Sequence, residues 1–460
     1  MNALPPLLAA LVFGCGHAPA DSDPLALHDL ESLPIASTLL EGGRLDVGPV
    51  PRSAPPGAAV PRDAAELHRW LADPQGPTDI WLDARTWSGD WQIRRTVALH
   101  GIGPETVLEG SGTGTVVDAE GDGILVENLT IRGTGSKHTT EDSAIKARGK
   151  HNILRRLFLD EVLFGASLAA CEGCRAERLH VIGRAGDAEL RGDGIKLWES
   201  NGSTVSRCLV EQVRDVVVWY SRHVTLEDNV VRGSRYGSHF MYTHDCSMRG
   251  TAVIDNVVGI FVMYSARLTI DGNVLAGAGG PAGVGLGFKD SDDVTVSDNW
   301  IVGNTSGAYF DSTPRTPDTP VRIEGNVVAL NDIGLRFHSQ PHGVFILGND
   351  FHENGEAAIV DGGGDATTAD MHDNYWSDYV GYDLDDDGMG DVAHEVKRLS
   401  AELTDAHPSL KLFQGTAALV TLDAVARAVP VLATRLLLKD ARPRTRPHRL
   451  GQPAGAPANP

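Results

Sequence analysis

Between Ser203 and Trp376 the chain repeats a unit of about 22 residues. Successive copies read VTLEDNVV from Val224, CSMRGTAV from Cys246, LTIDGNVL from Leu268, VTVSDNWI from Val294, VRIEGNVV from Val321 and VFILGNDF from Val344. Each opens on two apolar residues one apart and then reaches a small polar position: Cys208, Asn229, Thr251, Asn273, Asn299, Asn326, Asn349 and Asn374. Their spacings are 21, 22, 22, 26, 27, 23 and 25. Alternation with period two is a strand pattern, and a repeat of this length stacks each strand on its predecessor. Asparagine returning at one bend lets side-chain amides hydrogen-bond along the stack. The expected fold is all-β, a right-handed parallel β-helix whose coils bury their apolar faces only by stacking.

Length alone suggests two or three domains, but a solenoid escapes that arithmetic. The formal net charge of −21 argues against nucleic acid and anionic lipid as partners. Residues 1–20 read as an export signal, because Leu4 to Phe13 is apolar but too short to span a bilayer. Two cleavages remain open: after Ala18-Pro19-Ala20, or at the lipobox Val12-Phe13-Gly14-Cys15, which would leave Cys15 lipidated. Of five cysteines, Cys171 and Cys174 could form a disulfide. Repeat phase directs Cys174, Cys246 and Met248 into the core.

Residues 21–60 read as a linker and 61–122 as an N-terminal capping region with a helix from Arg62 to Leu71. The β-helix is expected over 123–376, an Asp-rich loop over 377–398, a helical arm over 399–440 and a disordered tail over 441–460. On the arm, Leu419, Leu422 and Val425 share a helical face. That face either packs back on the solenoid or docks a partner, which could be membrane-embedded.

Phase also assigns facing to a second strand in each coil. Its outward slots form two columns: Trp198, Trp219, Met241, Met263, Lys289, Asp311, His338, and Lys196, Val217, His239, Phe261, Gly287, Tyr309, Arg336. Such an apolar, aromatic strip on a solenoid marks a binding surface, unless a terminal arm covers it. Trp198, Trp219, Phe261, Lys289 and Tyr309 are its expected docking residues. Met241 and Met263 fall on neighbouring strands with His239 two residues from Met241, a donor set suited to Cu(I). Lys289, Asp311 and His338 also permit an enzyme reading, a polysaccharide lyase or epimerase, although Lys289 and Asp311 can simply pair. Asp383, Asp385, Asp387 and Asp391, with Gly388 at the sixth position, match the first half of a calcium loop. The twelfth position holds His394 rather than glutamate.

The strings GDGIKLWES from Gly192, RYGSHFMYTHD from Arg235, GIFVMYS from Gly259, GLGFKDSDDV from Gly285 and NYWSDYVGYDLDDDGMGD from Asn374 resemble the NosD family. With the Arg214-Asp215 pair, the match runs over roughly residues 75 to 440. That resemblance implies a non-enzymatic periplasmic β-helix protein needed to mature the copper site of nitrous oxide reductase. It implies an ABC transporter partner, made of an ATPase and a membrane subunit that the 400–440 arm contacts. It further implies receipt of copper from a lipoprotein chaperone. The atypical N-terminal signal and the lipobox depart from the family, and no family motif carries copper ligands onto particular residues here.

Overall fold

The computed structural model describes residues 39–41, 44–413, 416–428 and 435–449. The chain winds into a parallel β-helix whose long sheet has twelve strands, from Trp91–Ile93 to Glu356–Val360. Two further columns of short parallel strands, such as Thr225–Glu227 and Val230–Arg232, complete each coil. Between those columns the chain turns on one residue held in the left-handed region. Arg207, Asp228, Asp298 and Asp373 occupy it at φ 53, 53, 56 and 61°, and glycine takes it at 250, 272, 325 and 348.

The next residue is the ladder position. The Asn273 amide donates to Asn299 Oδ1 at 2.9 Å, and the same link joins Asn299 to Asn326, Asn326 to Asn349, and Asn349 to Asn374. Each Nδ2 donates to the same neighbouring Oδ1 and also back to a carbonyl one coil earlier. All five side chains are fully buried. Two more ladders stand at the other corners. Ser200 links to Ser221, and Thr243, Ser265, Ser291 and Thr313 link in turn, along one. Asn304, Asn331 and Asn354 form the other, with Asn256 in the same role on an earlier coil. Inside, the alternate residues of the long sheet make a continuous core, including a stack of Phe288, Phe310 and Phe337 at 5.3 and 5.0 Å.

The coils begin earlier than the sequence pattern suggests. Asp79–Trp81 pairs with Ala98–His100, and Thr86–Ser88 pairs with Val107–Glu109, all parallel. Much of 61–122 is therefore solenoid rather than cap. Only helix α1 (Ala64–Ala72), N-capped by Asp63, lays Leu67 and Leu71 against the first coils. The expected linker is also structured at its end. Leu40–Glu41 and Arg44–Leu45 pair, and Leu39, Leu40 and Leu45 join Val230, Val274 and Trp300 on the outward face of the third column.

At the other end, His394–Arg398 pairs antiparallel with Arg435–Asp440, so the arm ends in a strand rather than a helix. Leu437 and Leu438 enter the core, and Asp440 accepts from Asn374 Nδ2 at 2.9 Å, closing the ladder with a carboxylate. Residues 441–449 are not a disordered tail. Arg442 meets Asp373 at 2.7 Å, Arg444 meets Asp350 at 2.7 Å, and Arg449 meets Asp298 at 3.0 Å. Cys171 and Cys174 form a buried disulfide, while Cys208 and Cys246 are buried thiols whose ionisation is opposed by burial. The signal over 1–20 and Cys15 lie outside the described residues.

Candidate functional site

Parallel register brings the two outward columns together as the repeat phase requires. Trp198 pairs with Trp219, Trp219 with Met241, Met241 with Met263, Met263 with Lys289, and Lys289 with Asp311. Beside them run Lys196, Val217, His239, Phe261, Gly287, Tyr309 and Arg336. Trp198, Trp219, Met241, Phe261, Met263, Lys289 and Tyr309 are all half-buried. The N-terminal hairpin covers a different sheet, so the apolar cluster it forms does not include this strip.

His239 departs from expectation: it is 7% exposed rather than facing solvent. Neighbouring rings close over it, Tyr236 stacked at 5.0 Å and Trp219 edge-on at 5.5 Å. Neither ring nitrogen has a hydrogen-bond partner, and Nδ1 lies 3.9 Å from Asp215 Oδ2, beyond bonding distance. Burial pushes this imidazole down to about 4, so it is neutral and keeps a lone pair for a metal. Asp215 is fully buried and spent on Arg235, at 3.0 and 2.5 Å. One coil earlier Asp193 repeats the arrangement with Arg214 at 2.8 Å, where burial lifts the carboxyl to about 6. A neutral imidazole on the same face as two register-paired thioethers is a donor set of the kind that suits a soft monovalent copper ion.

Sequence reasoning missed the edge of this strip. Tyr220, Tyr242 and Tyr264 stack at 5.1 and 5.0 Å, each at φ near +50°, an uncommon conformation for so large a residue. Tyr220 and Tyr242 are exposed, and Tyr220 leans on Trp198 at 4.9 Å. The signal was available: all three precede the Ser/Thr corner residue at a spacing of 22. Because the rings stack face to face, they present edges outward, which disfavours a sugar stacking between them.

Lys289 and Asp311 form an ion pair at 2.8 Å, which accounts for both without chemistry. In the Asp-rich loop, Asp383, Asp385 and Asp391 bring carboxylate oxygens within 4.8 Å of one another. Asp387 is not in that group and instead accepts from the Met389 amide at 2.7 Å. Gly388 takes φ +85° at the sharp turn, and its amide donates to Asp383 at 2.8 Å. On the arm, helix α2 (Ala417–Ala428) turns Asp423 and Ala426 inward. Leu419 and Leu422 are half-buried and Val425 is 49% exposed, so the expected apolar face is only partly covered. Among the described residues no helix is long and apolar enough to cross a membrane.

A family model described as a periplasmic copper-binding protein, NosD, matches residues 169–381. A probable ABC transporter binding protein NosD of Pseudomonas aeruginosa is 37% identical over 112 residues, covering 24% of this chain and 26% of that protein. Its namesake in Stutzerimonas stutzeri is 28% identical over 181 residues, covering 39% of this chain and 37% of that one. The chain thus spans well under half the length of these relatives. Among solved structures, a GH87 alpha-1,3-glucanase catalytic unit from Streptomyces thermodiastaticus superposes with TM-score 0.60 at 15% identity, over 72% of this chain and 71% of that one. The A-module of the Azotobacter vinelandii mannuronan C-5 epimerase AlgE6 gives 0.55 at 14% identity, over 66% of this chain and 93% of that one. At such identities these two share the fold alone.

Proposed function

We propose, from the premise that the chain belongs to the NosD family through residues 169–381, that it is a periplasmic copper-handling assembly factor. In this reading it works beside an ABC transporter, takes copper from a lipoprotein chaperone and delivers it for the copper site of nitrous oxide reductase. His239 carries the reading: a buried, neutral imidazole with both nitrogens unengaged, next to Met241 and its register partner Met263. Trp198, Trp219, Phe261 and Tyr309 extend along the same two outward columns as docking surface, and Leu419, Leu422 and Val425 offer the arm's contact to the transporter's membrane subunit. Anaerobic Cu(I) titration of the purified protein, with copper content of the reductase in a deletion strain, tests it. Absence of Cu(I) binding together with a fully loaded reductase would sink it.

The Asp-rich loop supports a separate structural role, a Ca²⁺ ion held by Asp383, Asp385 and Asp391. Three carboxylates this close repel one another unless a cation sits among them. Chelation is expected to lower the melting temperature by several degrees, on the order of 4 °C per kcal/mol for the part that melts. Asp385→Asn should abolish that sensitivity. A melt unchanged in excess chelator leaves a solvated acidic turn.

A further inference from the structure

Three buried nitrogens meet around residue 239 without a hydrogen-bond partner: Nδ1 and Nε2 of His239, and Nε1 of Trp219. Buried polar atoms are nearly always bonded, so a group of three asks for a reason. Their surroundings are apolar. Along the sheet, His239 stands between its register partners Val217 and Phe261 on the adjoining coils. Tyr236 lies against the imidazole, its ring 25° from parallel at 5.0 Å, and Trp219 stands at 90° to it at 5.5 Å. Tyr236 is itself held in place. The Arg235 guanidinium lies 4.9 Å from its ring centroid, and Phe261 meets it edge-on at 6.1 Å.

The charged groups that act on the imidazole are Asp215, Arg235 and Arg214. Asp215 accepts from Arg235 through both oxygens, and Arg214 pairs with Asp193 at 2.8 Å. Each carboxylate of this group therefore already faces a guanidinium, and an added cation finds no uncompensated negative charge. The cost of lodging an ion in so poorly solvated a place rises with the square of its charge. A divalent ion keeps water or a carboxylate among its ligands, and bound water needs acceptors for its protons. The indole N–H of Trp219 can only donate. A soft monovalent ion is satisfied by imidazole and thioethers and needs neither.

We propose that Tyr236 is a specificity-determining residue of the strip: its ring, with Trp219, closes a dry collar around His239 that favours a monovalent soft ion over a divalent one. The proposal rests on the copper reading of His239, Met241 and Met263, and adds the side chain that sets the choice of charge. Solvent access around a metal ligand is governed by its apolar shell, and here Tyr236 supplies the part of that shell lying on the imidazole.

The test measures two affinities of the full chain, each counted as the part lost in His239→Gln. Cu(I) is titrated anaerobically against a chromogenic chelator, and Zn(II) serves as a dication without redox chemistry. The wild-type chain should prefer Cu(I) over Zn(II) by about a hundredfold or more. Tyr236→Ala should narrow that preference by about tenfold or more, through tighter Zn(II) binding rather than weaker Cu(I) binding. Tyr236→Gln keeps more bulk but is polar, so it should act the same way even if alanine unfolds the chain. Tyr236→Phe returns an apolar ring and should return the wild-type preference. A preference unchanged in both polar-opening variants, or a wild-type chain that binds Zn(II) as tightly as Cu(I), would overturn the inference and leave the copper reading standing. A fall of both affinities together would make Tyr236 mere support for the fold, and overturns it equally. Absence of Cu(I) binding at His239 would remove both.

Discussion

Replacing Asn299 by leucine is expected to cost about 3–6 kcal/mol of unfolding free energy, from two or three buried groups left unbonded at about 1–3 kcal/mol each. Asn299 Oδ1 accepts from both the amide and Nδ2 of Asn273, at 2.9 Å each. Its Nδ2 donates to the carbonyls of Ile270 and Ser297 and to Asn326 Oδ1. Leucine fits the space, as Leu129, Leu157 and Leu179 show at the equivalent bend of earlier coils, where the neighbours are apolar too. At position 299 it would strand the Asn273 donors in an interior with no water to replace them. Urea unfolding should show a large fall in midpoint with parallel strand structure intact in the remaining folded population. A loss under about 1 kcal/mol would mean that the ladder contributes registration without stability.

The second large effect concerns sulfur. The double change Met241→Leu, Met263→Leu keeps volume and apolarity, and such swaps cost less than about 1.5 kcal/mol, so the fold should hold. Both thioethers go at once, leaving His239 as the sole donor of the proposed set. Cu(I) affinity measured by competition with a chromogenic chelator should fall on the order of 100-fold or more, beyond what outer-shell changes bring about. Reductase loading should fail while the melting temperature stays put. Should the leucine pair bind and deliver copper normally, the strip is an apolar docking face, and Trp219→Ala becomes the informative change. That substitution removes contact area from a half-buried ring and touches no donor.

The fold was legible because its defining contacts recur at fixed spacing. The Asn column and both outward columns follow from phase alone, and phase holds wherever strands pair in register. It fails where contacts are remote or aperiodic. The coils before Gly123 carry no asparagine at the bend, so Asp79–Trp81 and Val107–Glu109 gave no signal of stacking. Arg444 and Arg449 pin the C-terminal segment to aspartates 94 and 151 residues away, which no local pattern reports. At the candidate site, phase placed Met241, Met263 and His239 on one face but could not tell that Tyr236 and Trp219 close over the imidazole. Tyr236 lies three residues before His239, where alternation puts it on the opposite side, and a bulge brings it round: Asp215 pairs with Tyr236 while Val217, two residues on, pairs with His239.

The composition of the bend column changes along the axis, from leucine at 129, 157 and 179 through Cys208, Asn229 and Thr251 to an unbroken run of asparagine from 273 to 374. The coils after Asn273 are cross-linked by paired amide bonds, and those before it mostly by single ones or by apolar contact. In a one-dimensional stack, where each coil gains only from its neighbours, such a gradient sets a direction. Assembly is expected to nucleate in the asparagine-rich half, beneath the lid formed by Asp440, and to propagate toward the N-terminus. During synthesis that half emerges last, so the earlier coils wait unclosed for their template and are exposed in that interval to chaperones and proteases.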